Sequence, residues 1–297
     1  MSSIKEGFLT VPGGKAWYRI VGNDRSGIPL VTLHGGPGAP HDYLEPLAGL
    51  ADERPVIFYD QLGCGNSQRP DDLALWNNGR FIDELLKVQE GLGLTKIHLM
   101  GQSWGTLLAG EYMLREKPQH VCSLILSGPF FSASRWLADQ QNYLAGLPEE
   151  IQTVVRQAEA MKEFDSPAYQ EAMRVFYSKH VCRLNPWPEA MNRTIEKMGV
   201  PVYLSMCGPS EFTMTGSLKN TELVNRLKEI KVPVLFTCGR YDEATPETTA
   251  IYQQALPGSE MVVIEDASHE HHLEKPQEYL ELVRNFLRRI EGRETTE

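Results

Sequence analysis

The arrangement of apolar segments along the chain constrains its fold more than any other feature. Short runs rich in Val, Ile, Leu and Phe recur, and most are continuously apolar, which is typical of strands covered on both faces. Helical patterns lie between them, among them those at 81–92, 104–116 and 278–290. This alternation predicts a mainly parallel α/β sheet flanked by helices. The apolar runs lie at 16–21, 29–34, 55–60, 96–100, 123–127, 233–238 and 260–265.

The strand-like apolar runs stop near Phe130 and resume at Val232. The sequence between them is helix-like and rich in aromatic residues and Met. Open α/β sheets bind ligands beyond the carboxyl ends of their strands. An insertion that leaves and re-enters the sheet through its strands is therefore expected to lie above that edge. We predict an α/β core formed by residues 1–129 and 232–297, with a helical cap at 130–231.

The composition excludes several classes of partner. The chain of 297 residues has a formal net charge of −10 and only 29 Lys and Arg residues, so we expect no binding to nucleic acid or to an anionic membrane. No stretch has the length and apolarity of a membrane span, and no secretory leader is recognisable. Five scattered cysteines without a CxxC pair favour free thiols. We expect a cytoplasmic protein without a metal or other cofactor.

The stretch GQSWGT at 101–106 places Ser103 between two glycines, after a strand-like run and before a helical pattern. This is the strand–turn–helix context of a nucleophile elbow, in which a sharp turn presents the serine hydroxyl at the edge of the sheet. A helix N-terminus also favours the negative charge that develops there. Ser103 is therefore predicted to be a catalytic nucleophile. The alternative is that it only caps the following helix.

A serine nucleophile needs a base and an orienting acid, which this strand–helix arrangement supplies further along the chain in the order acid, then histidine. Asp242 and His269 each come just after a predicted strand. We predict that His269 takes the serine proton and that Asp242 orients and stabilises its imidazole. The alternative acids are Glu243 and Asp266, and the alternative bases are His271 and His272. We expect these two histidines to start a helix or face solvent, and no metal site at HEHH, because no further ligands are suitably spaced.

Acyl transfer also requires two backbone N–H groups that stabilise the oxyanion. One comes from the residue after the nucleophile, here Trp104, and the other from a loop after an early strand. The stretch HGGPG at 34–38 supplies that loop, and we predict Gly36 as the second donor. We expect His34 to make a structural hydrogen bond. The alternative for the segment is an ordinary Gly-Pro turn.

Several longer motifs occur in a fixed order between about Phe8 and Ile290: HGGPGAPHDYL, VIFYDQLGCGNSQRP, GQSWGT, GPSEFTMTG, GRYDEATP and SH. In these motifs the chain resembles the proline iminopeptidase family of α/β-hydrolases and their relatives, the L-amino acid amidases. The resemblance implies an α/β-hydrolase fold with Ser103, Asp242 and His269 as the catalytic triad. One departure is Thr106, where many relatives carry glycine.

The same resemblance implies a role for two further acids. Family members bind the free α-amino group of the substrate with a glutamate in a GP-x-E-F segment and with the glutamate beside the catalytic Asp, which correspond to Glu211 and Glu243. A pair of carboxylates can hold an ammonium group through charge-assisted hydrogen bonds. The alternative is that both are solvated acids.

The function expected from these features is a serine hydrolase. It would release an N-terminal residue, preferably proline, from small peptides, amino acid amides or arylamides with a free α-amino group, through an acyl-enzyme. One alternative is an L-amino acid amidase or a carboxylic ester hydrolase that uses the same triad. Another is a non-catalytic small-molecule receptor on the same fold.

Overall fold

The computed structural model describes residues 3–292, which are built around an eight-stranded sheet. Its strands are β1 (Ile4–Val11), β2 (Gly14–Val21), β3 (Leu30–Leu33), β4 (Val56–Asp60), β5 (Ile97–Gln102), β6 (Val121–Ser127), β7 (Val234–Gly239) and β8 (Glu260–Ile264). Their order across the sheet is β1-β2-β4-β3-β5-β6-β7-β8. The pairs β1–β2 and β2–β4 are antiparallel, and the other five pairs are parallel. The mainly parallel sheet predicted from the sequence is confirmed.

The central strands are buried on both faces, which explains their continuously apolar sequences. Every residue of β3 and β4 is buried. Successive side chains of β3 enter different clusters: Val31 and Leu33 pack in one core and Leu30 in the other. Strand β1 is different, because most of its residues are exposed or only partly buried. It has no apolar run, and the sequence analysis did not predict it.

Helices cover both faces of the sheet. They are α1 (Asn78–Gly91), α2 (Trp104–Glu116), α3 (Ala133–Ala145), α4 (Glu149–Met161), α5 (Pro167–His180), α6 (Glu189–Glu196), α7 (Val200–Met206), α8 (Pro246–Ala255), α9 (His271–Glu274) and α10 (Pro276–Ile290). Leu85 of α1 and Leu107 of α2 belong to one core cluster, and Val283 of α10 belongs to the other. Each core is thus closed by helices on its own side of the sheet.

The chain between β6 and β7 contains α3 to α7, followed by 3₁₀ turns at Ser217–Asn220 and Val224–Glu229. Helices α3, α4 and α5 share a small apolar cluster that includes Leu144, Val155 and Phe176. Near its end, the segment returns to the main core through Leu223 and Leu227. The helical content agrees with the sequence-based expectation, and the division into a core and a cap at 130–231 stays a prediction.

Two global features accompany this fold. None of the helices within residues 3–292 is both long enough and apolar enough to cross a lipid bilayer. All five cysteines are unpaired, as predicted, and all but Cys122 are buried.

Candidate active site

Ser103 lies in the tight turn between β5 and α2, and its backbone φ of +54° is unusual for a residue with a side chain. Close packing explains the flanking glycines. A methyl group on Gly101 would lie 2.3 Å from the Gly105 carbonyl oxygen, and one on Gly105 would lie 2.2 Å from the Leu33 carbonyl oxygen. Within the described part of the chain, the Ser103 side chain makes no capping hydrogen bond to α2. The Ser103 side chain therefore does not cap α2. Strained turns of this kind cluster at functional sites.

Asp242 and His269 are in direct contact. Asp242 Oδ1 lies 2.7 Å from His269 Nδ1, and the same carboxylate accepts hydrogen bonds from the backbone N–H groups of Ala244 (2.7 Å) and Gly239 (3.1 Å). Burial acts to raise the pKa of Asp242, but the charge and hydrogen bond of His269 outweigh it and lower that pKa. The ionised carboxylate fixes Nδ1 as the hydrogen-bond donor, so Nε2 is left to face the cavity.

The neighbouring histidines have structural partners. His271 Nε2 lies 3.0 Å from Thr237 Oγ1, and His272 Nε2 lies 3.0 Å from the Tyr43 carbonyl oxygen. Both begin α9, as expected, but both are buried rather than facing solvent. Burial lowers the pKa of His272 to about 3, so this ring is neutral. Of the three histidines, only His269 lines the cavity.

The loop after β3 approaches the serine closely. Gly36 has a φ of +102°, and a methyl group on Gly35 would lie 2.8 Å from Ser103 Cβ. Trp104 is the first residue of α2, a position whose backbone N–H has no intrahelical acceptor. His34 has the structural role expected of it, because its Nε2 accepts a hydrogen bond from the Gln61 N–H (2.9 Å). Burial lowers its pKa to about 4.

One cavity of about 550 Å³ joins these groups. Ser103 and His269 line it together with the two residues chosen as oxyanion donors, and Asp242 lies buried behind His269. Aromatic and sulfur-containing side chains form much of the remaining wall. They are Phe130, Trp136, Tyr177, Tyr203, Cys207 and Met214. An apolar cavity with a few converging polar groups is the usual form of a small-molecule site.

Glu211 and Glu243 both line this cavity, although one comes from the segment between β6 and β7 and the other from the loop after β7. Glu211 Oε1 accepts a hydrogen bond of 2.6 Å from the Tyr203 hydroxyl. Burial raises the pKa of both carboxyl groups, and the nearby charge of Glu211 raises that of Glu243 further. Glu243 Oε2 is buried and has no hydrogen-bond partner among residues 3–292. Two confined acids of this kind would be stabilised by a cation between them.

The structure adds two residues that the sequence analysis missed. Glu270 lines the cavity beside His269, and burial raises its pKa to about 8. In the described part of the chain, its Oε2 has no hydrogen-bond partner. Gly128 follows β6, and a methyl group there would lie 2.6 Å from His269 Cε1. A glycine directly after a core strand is a recognisable signal in the sequence. No sequence pattern distinguishes Glu270 from its neighbours.

A cluster of possible metal ligands lies at His41, Asp42 and Glu45. Its acids are already paired with cations, since Arg193 contacts Asp42 at 3.1 Å and also contacts Glu45 at 2.5 Å. His41 Nδ1 lies 2.7 Å from Asp60 Oδ1. These partners explain the cluster without a metal ion.

Comparisons with known proteins agree with this fold. A family model described as the alpha/beta hydrolase fold matches residues 28–276. A proline iminopeptidase of Heyndrickxia coagulans is 43% identical over 286 residues, which cover 96% of this chain and 99% of the relative. A proline iminopeptidase of Saccharolobus solfataricus is 35% identical, with 97% of this chain and 94% of the relative covered.

Solved structures give the same result. The proline iminopeptidase of Mycobacterium smegmatis superposes with a TM-score of 0.89 at 34% identity, covering 96% of this chain and 98% of that one. VinJ superposes with a TM-score of 0.92, also at 34% identity, covering 96% of this chain and 99% of that one. The fold and the matched family model define the class of protein as an α/β-hydrolase. Within that class the chain belongs to the proline iminopeptidase family, as its resemblance predicted, and it is a hydrolase.

Proposed function

We propose that the protein is a serine aminopeptidase that releases N-terminal proline from small peptides, amides or arylamides. The observation that carries the proposal is the single cavity shared by Ser103, His269 and the acid pair Glu211 and Glu243. It unites groups suited to acyl transfer with groups suited to an ammonium ion. The family relationship supports the same activity, since the relatives in the comparison carry the name proline iminopeptidase.

In the proposed reaction, Ser103 Oγ attacks the carbonyl carbon of the N-terminal residue while His269 Nε2 takes the hydroxyl proton. Asp242 holds the imidazole through the 2.7 Å contact to Nδ1 and stabilises the imidazolium. The N–H groups of Gly36 and Trp104 stabilise the oxyanion of the tetrahedral intermediate. His269 then gives the proton to the leaving amine, and the C–N bond breaks to leave an acyl-enzyme.

The second half of the reaction reverses these roles. A water molecule attacks the ester carbonyl of the acyl-enzyme, and His269 takes one of its protons. The intermediate collapses, His269 returns the proton to Ser103 Oγ, and the free amino acid leaves. The overall balance is hydrolysis of one amide bond by one water, with no cofactor.

Glu211 and Glu243 are proposed to bind the α-ammonium group of the substrate. A cation between them would relieve the cost of burying two carboxyl groups side by side, which their raised pKa values reflect. A substrate with an extended or acylated N-terminus would place an uncharged group there and leave the carboxylates unpaired. The aromatic wall near Glu211, including Trp136 and Tyr203, is proposed to receive the pyrrolidine ring.

Four substrates test the proposal: L-proline p-nitroanilide, its N-acetyl form, alanine p-nitroanilide and p-nitrophenyl acetate. We expect kcat/KM to be highest for proline p-nitroanilide, the N-acetyl form to be rejected, and Ser103→Ala to abolish turnover of all four. A charge-assisted hydrogen bond contributes about 1.5–3 kcal/mol, so Glu211→Gln should reduce kcat/KM on the anilide at least about tenfold. The ester should lose much less.

Two results would refute the proposal. Equal cleavage of the free and N-acetylated anilides would remove the role of the two glutamates, and turnover of the ester alone would make the protein an esterase. The location of the protein in the cytoplasm and the absence of nucleic-acid partners remain predictions, and the unpaired cysteines are compatible with that location.

A further inference from the structure

Glu243 stands directly in front of the nitrogen that must receive the serine proton. Its Oε1 lies 3.6 Å from His269 Nε2, and both residues are buried, with 5% and 3% of their surface exposed. No residue that the structure describes forms a hydrogen bond with the other carboxyl oxygen of Glu243, Oε2. The backbone N–H groups of Glu243 and His269 both donate to the His180 carbonyl oxygen, each at 3.1 Å, so the two residues are held side by side.

The charges around His269 favour a proton on its Nε2. Burial acts to lower the pKa of His269, but the charges of Asp242 and Glu243 outweigh it and raise the pKa to about 10. Glu270 adds to this effect. Several titratable groups act on His269 or lie close to its partners. These groups come from the loop after β7, from the turn into α9 and from the segment between β6 and β7. They are Asp242, Glu243, Glu270, His271, His272 and Glu211, together with Tyr143 and His180 near Asp242 and with Tyr177 and Cys207 near Glu243.

A proton on Nε2 of His269 blocks the general base, because the imidazolium cannot accept another. The separation of 3.6 Å from Glu243 Oε1 is too long for a hydrogen bond but is that of an ion pair, so the charge of Glu243 favours the proton on Nε2. Ser103 then has no acceptor for its proton, and acyl transfer cannot begin.

We propose that Nε2 of His269 is protonated in the ligand-free protein and forms an ion pair with Oε1 of Glu243. The α-ammonium group of the substrate expels this proton when it pairs with Glu243, and Nε2 becomes free to accept the proton of Ser103. This inference rests on the proposed function, because it assigns the ammonium group to Glu211 and Glu243. It gives the ammonium group a part in the chemistry as well as in binding.

The exchange balances in charge and in atoms. One positively charged ammonium group enters the cavity, and one proton leaves it for solvent, so the total charge of the cavity is unchanged. Before Ser103 attacks, the only bonds that change are the N–H bond of the departing proton, which breaks, and the O–H bond that this proton forms with water. A substrate without an ammonium group cannot drive this exchange, so it would meet a protonated base even when it fits the cavity.

The wild-type protein provides the first test, through pH–rate profiles on proline p-nitroanilide and p-nitrophenyl acetate. The acid limb of kcat/KM reports the free protein, and that of kcat reports the substrate complex. For the anilide, we expect the limb of kcat to lie at least about one pH unit below that of kcat/KM, because an opposite charge at this range shifts a pKa by about 1–3 units. For the ester, the two limbs should coincide at high pH. Coincident limbs for the anilide would overturn the inference.

The second test is Glu243→Gln assayed on the ester. Without the negative charge of Glu243 beside the imidazolium, the acid limb of ester kcat/KM should move down by at least about one pH unit, which makes hydrolysis at pH 7 about tenfold faster than in the wild type. The same variant should be slower on the anilide. Glu247→Gln removes the same charge four residues further on, at an exposed position in the first turn of α8, and should leave both profiles unchanged.

An acid limb that does not move in Glu243→Gln, with a melting temperature near that of the wild type, would overturn the inference. If the variant does not fold, the wild-type comparison of kcat with kcat/KM decides alone. Failure of the proposed function is a separate result. It would appear as the absence of proline p-nitroanilide cleavage by the wild type, whatever the ester profile shows.

Discussion

Gly128 offers a sharp test of how closely the fold positions His269. This residue follows β6 with a φ of +54°, and its Cα faces the edge of the His269 ring. A methyl group added there would lie 2.6 Å from Cε1 and 2.7 Å from Nδ1. Nδ1 is the atom in contact with Asp242, so the ring cannot move away from position 128 without disturbing that contact.

The expected loss of activity follows from these distances. Carbon atoms pack at about 3.5–4.0 Å, so in Gly128→Ala the imidazole must move by about 1 Å. A misplacement of this size can cost about 100-fold in rate, or about 3 kcal/mol of transition-state stabilisation. The left-handed backbone conformation adds a stability cost of about 1 kcal/mol for alanine in place of glycine.

Gly93→Ala separates the two effects. Gly93 has a similar φ of +65°, but within residues 3–292 a methyl group there would meet no atom within 4 Å. Both variants should lose stability through the left-handed backbone, and the close contacts of Gly128→Ala should lower its melting temperature further. Only Gly128→Ala should lose about 100-fold in kcat/KM on proline p-nitroanilide.

The reasoning is refuted if Gly128→Ala keeps an activity within about threefold of Gly93→Ala, because an error of 1 Å would then not matter. A crystal structure of Gly128→Ala would show the reason directly. The expected change is a displaced His269 ring with a longer distance from Nδ1 to Asp242 Oδ1.

Three further predictions concern the charge and chemistry of single side chains. Asp242→Asn should lower kcat on proline p-nitroanilide by about 10⁴-fold with little change in fold, because an amide favours the wrong imidazole tautomer. Cys207 lines the cavity, and burial raises the pKa of its thiol. Inactivation by iodoacetamide should therefore be slow at pH 7, accelerate as the pH rises, and be absent in Cys207→Ser. Burial acts to raise the pKa of Glu53, but hydrogen bonds from Arg288 and Arg284 lower it to about 2, below its unfolded value of 4.5. Its stabilising effect is then present above pH 4.5 and is lost as the pH falls towards 2. Glu53→Gln should lower the melting temperature at pH 7 and have a much smaller effect near pH 2.

The sequence predicts those parts of the fold in which burial produces a run of apolar residues. Strands β3 to β7 lie between two apolar layers, so most of their residues are apolar. Strand β1 pairs with β2 at the edge of the sheet and is mostly exposed, so its sequence IKEGFLTV carries charged and polar residues. Only the pairing of its backbone with β2 makes it a strand.

The candidate site shows a similar division. The positions of Ser103, Asp242 and His269 after strands could be read from the sequence because strand ends meet at one edge of a parallel sheet. The burial of His271 and His272 could not, because it depends on partners far away in sequence, such as Tyr43. Glu270 has the same limitation. A turn places its side chain in the cavity, and no local sequence pattern predicts the direction of that turn.

The helical segment between β6 and β7 contacts the proposed catalytic loops through backbone atoms. The sequence therefore does not show how this segment positions the loops. The carbonyl oxygen of His180, at the end of α5, accepts hydrogen bonds from the N–H groups of both Glu243 and His269. The next carbonyl, of Val181, accepts one from Glu270 at 2.8 Å. These acceptors are backbone atoms, so no side chain at either position identifies them. The end of α5 thus fixes the spacing between Glu243 and His269, and the proposed coupling of amine binding to base activation depends on that spacing.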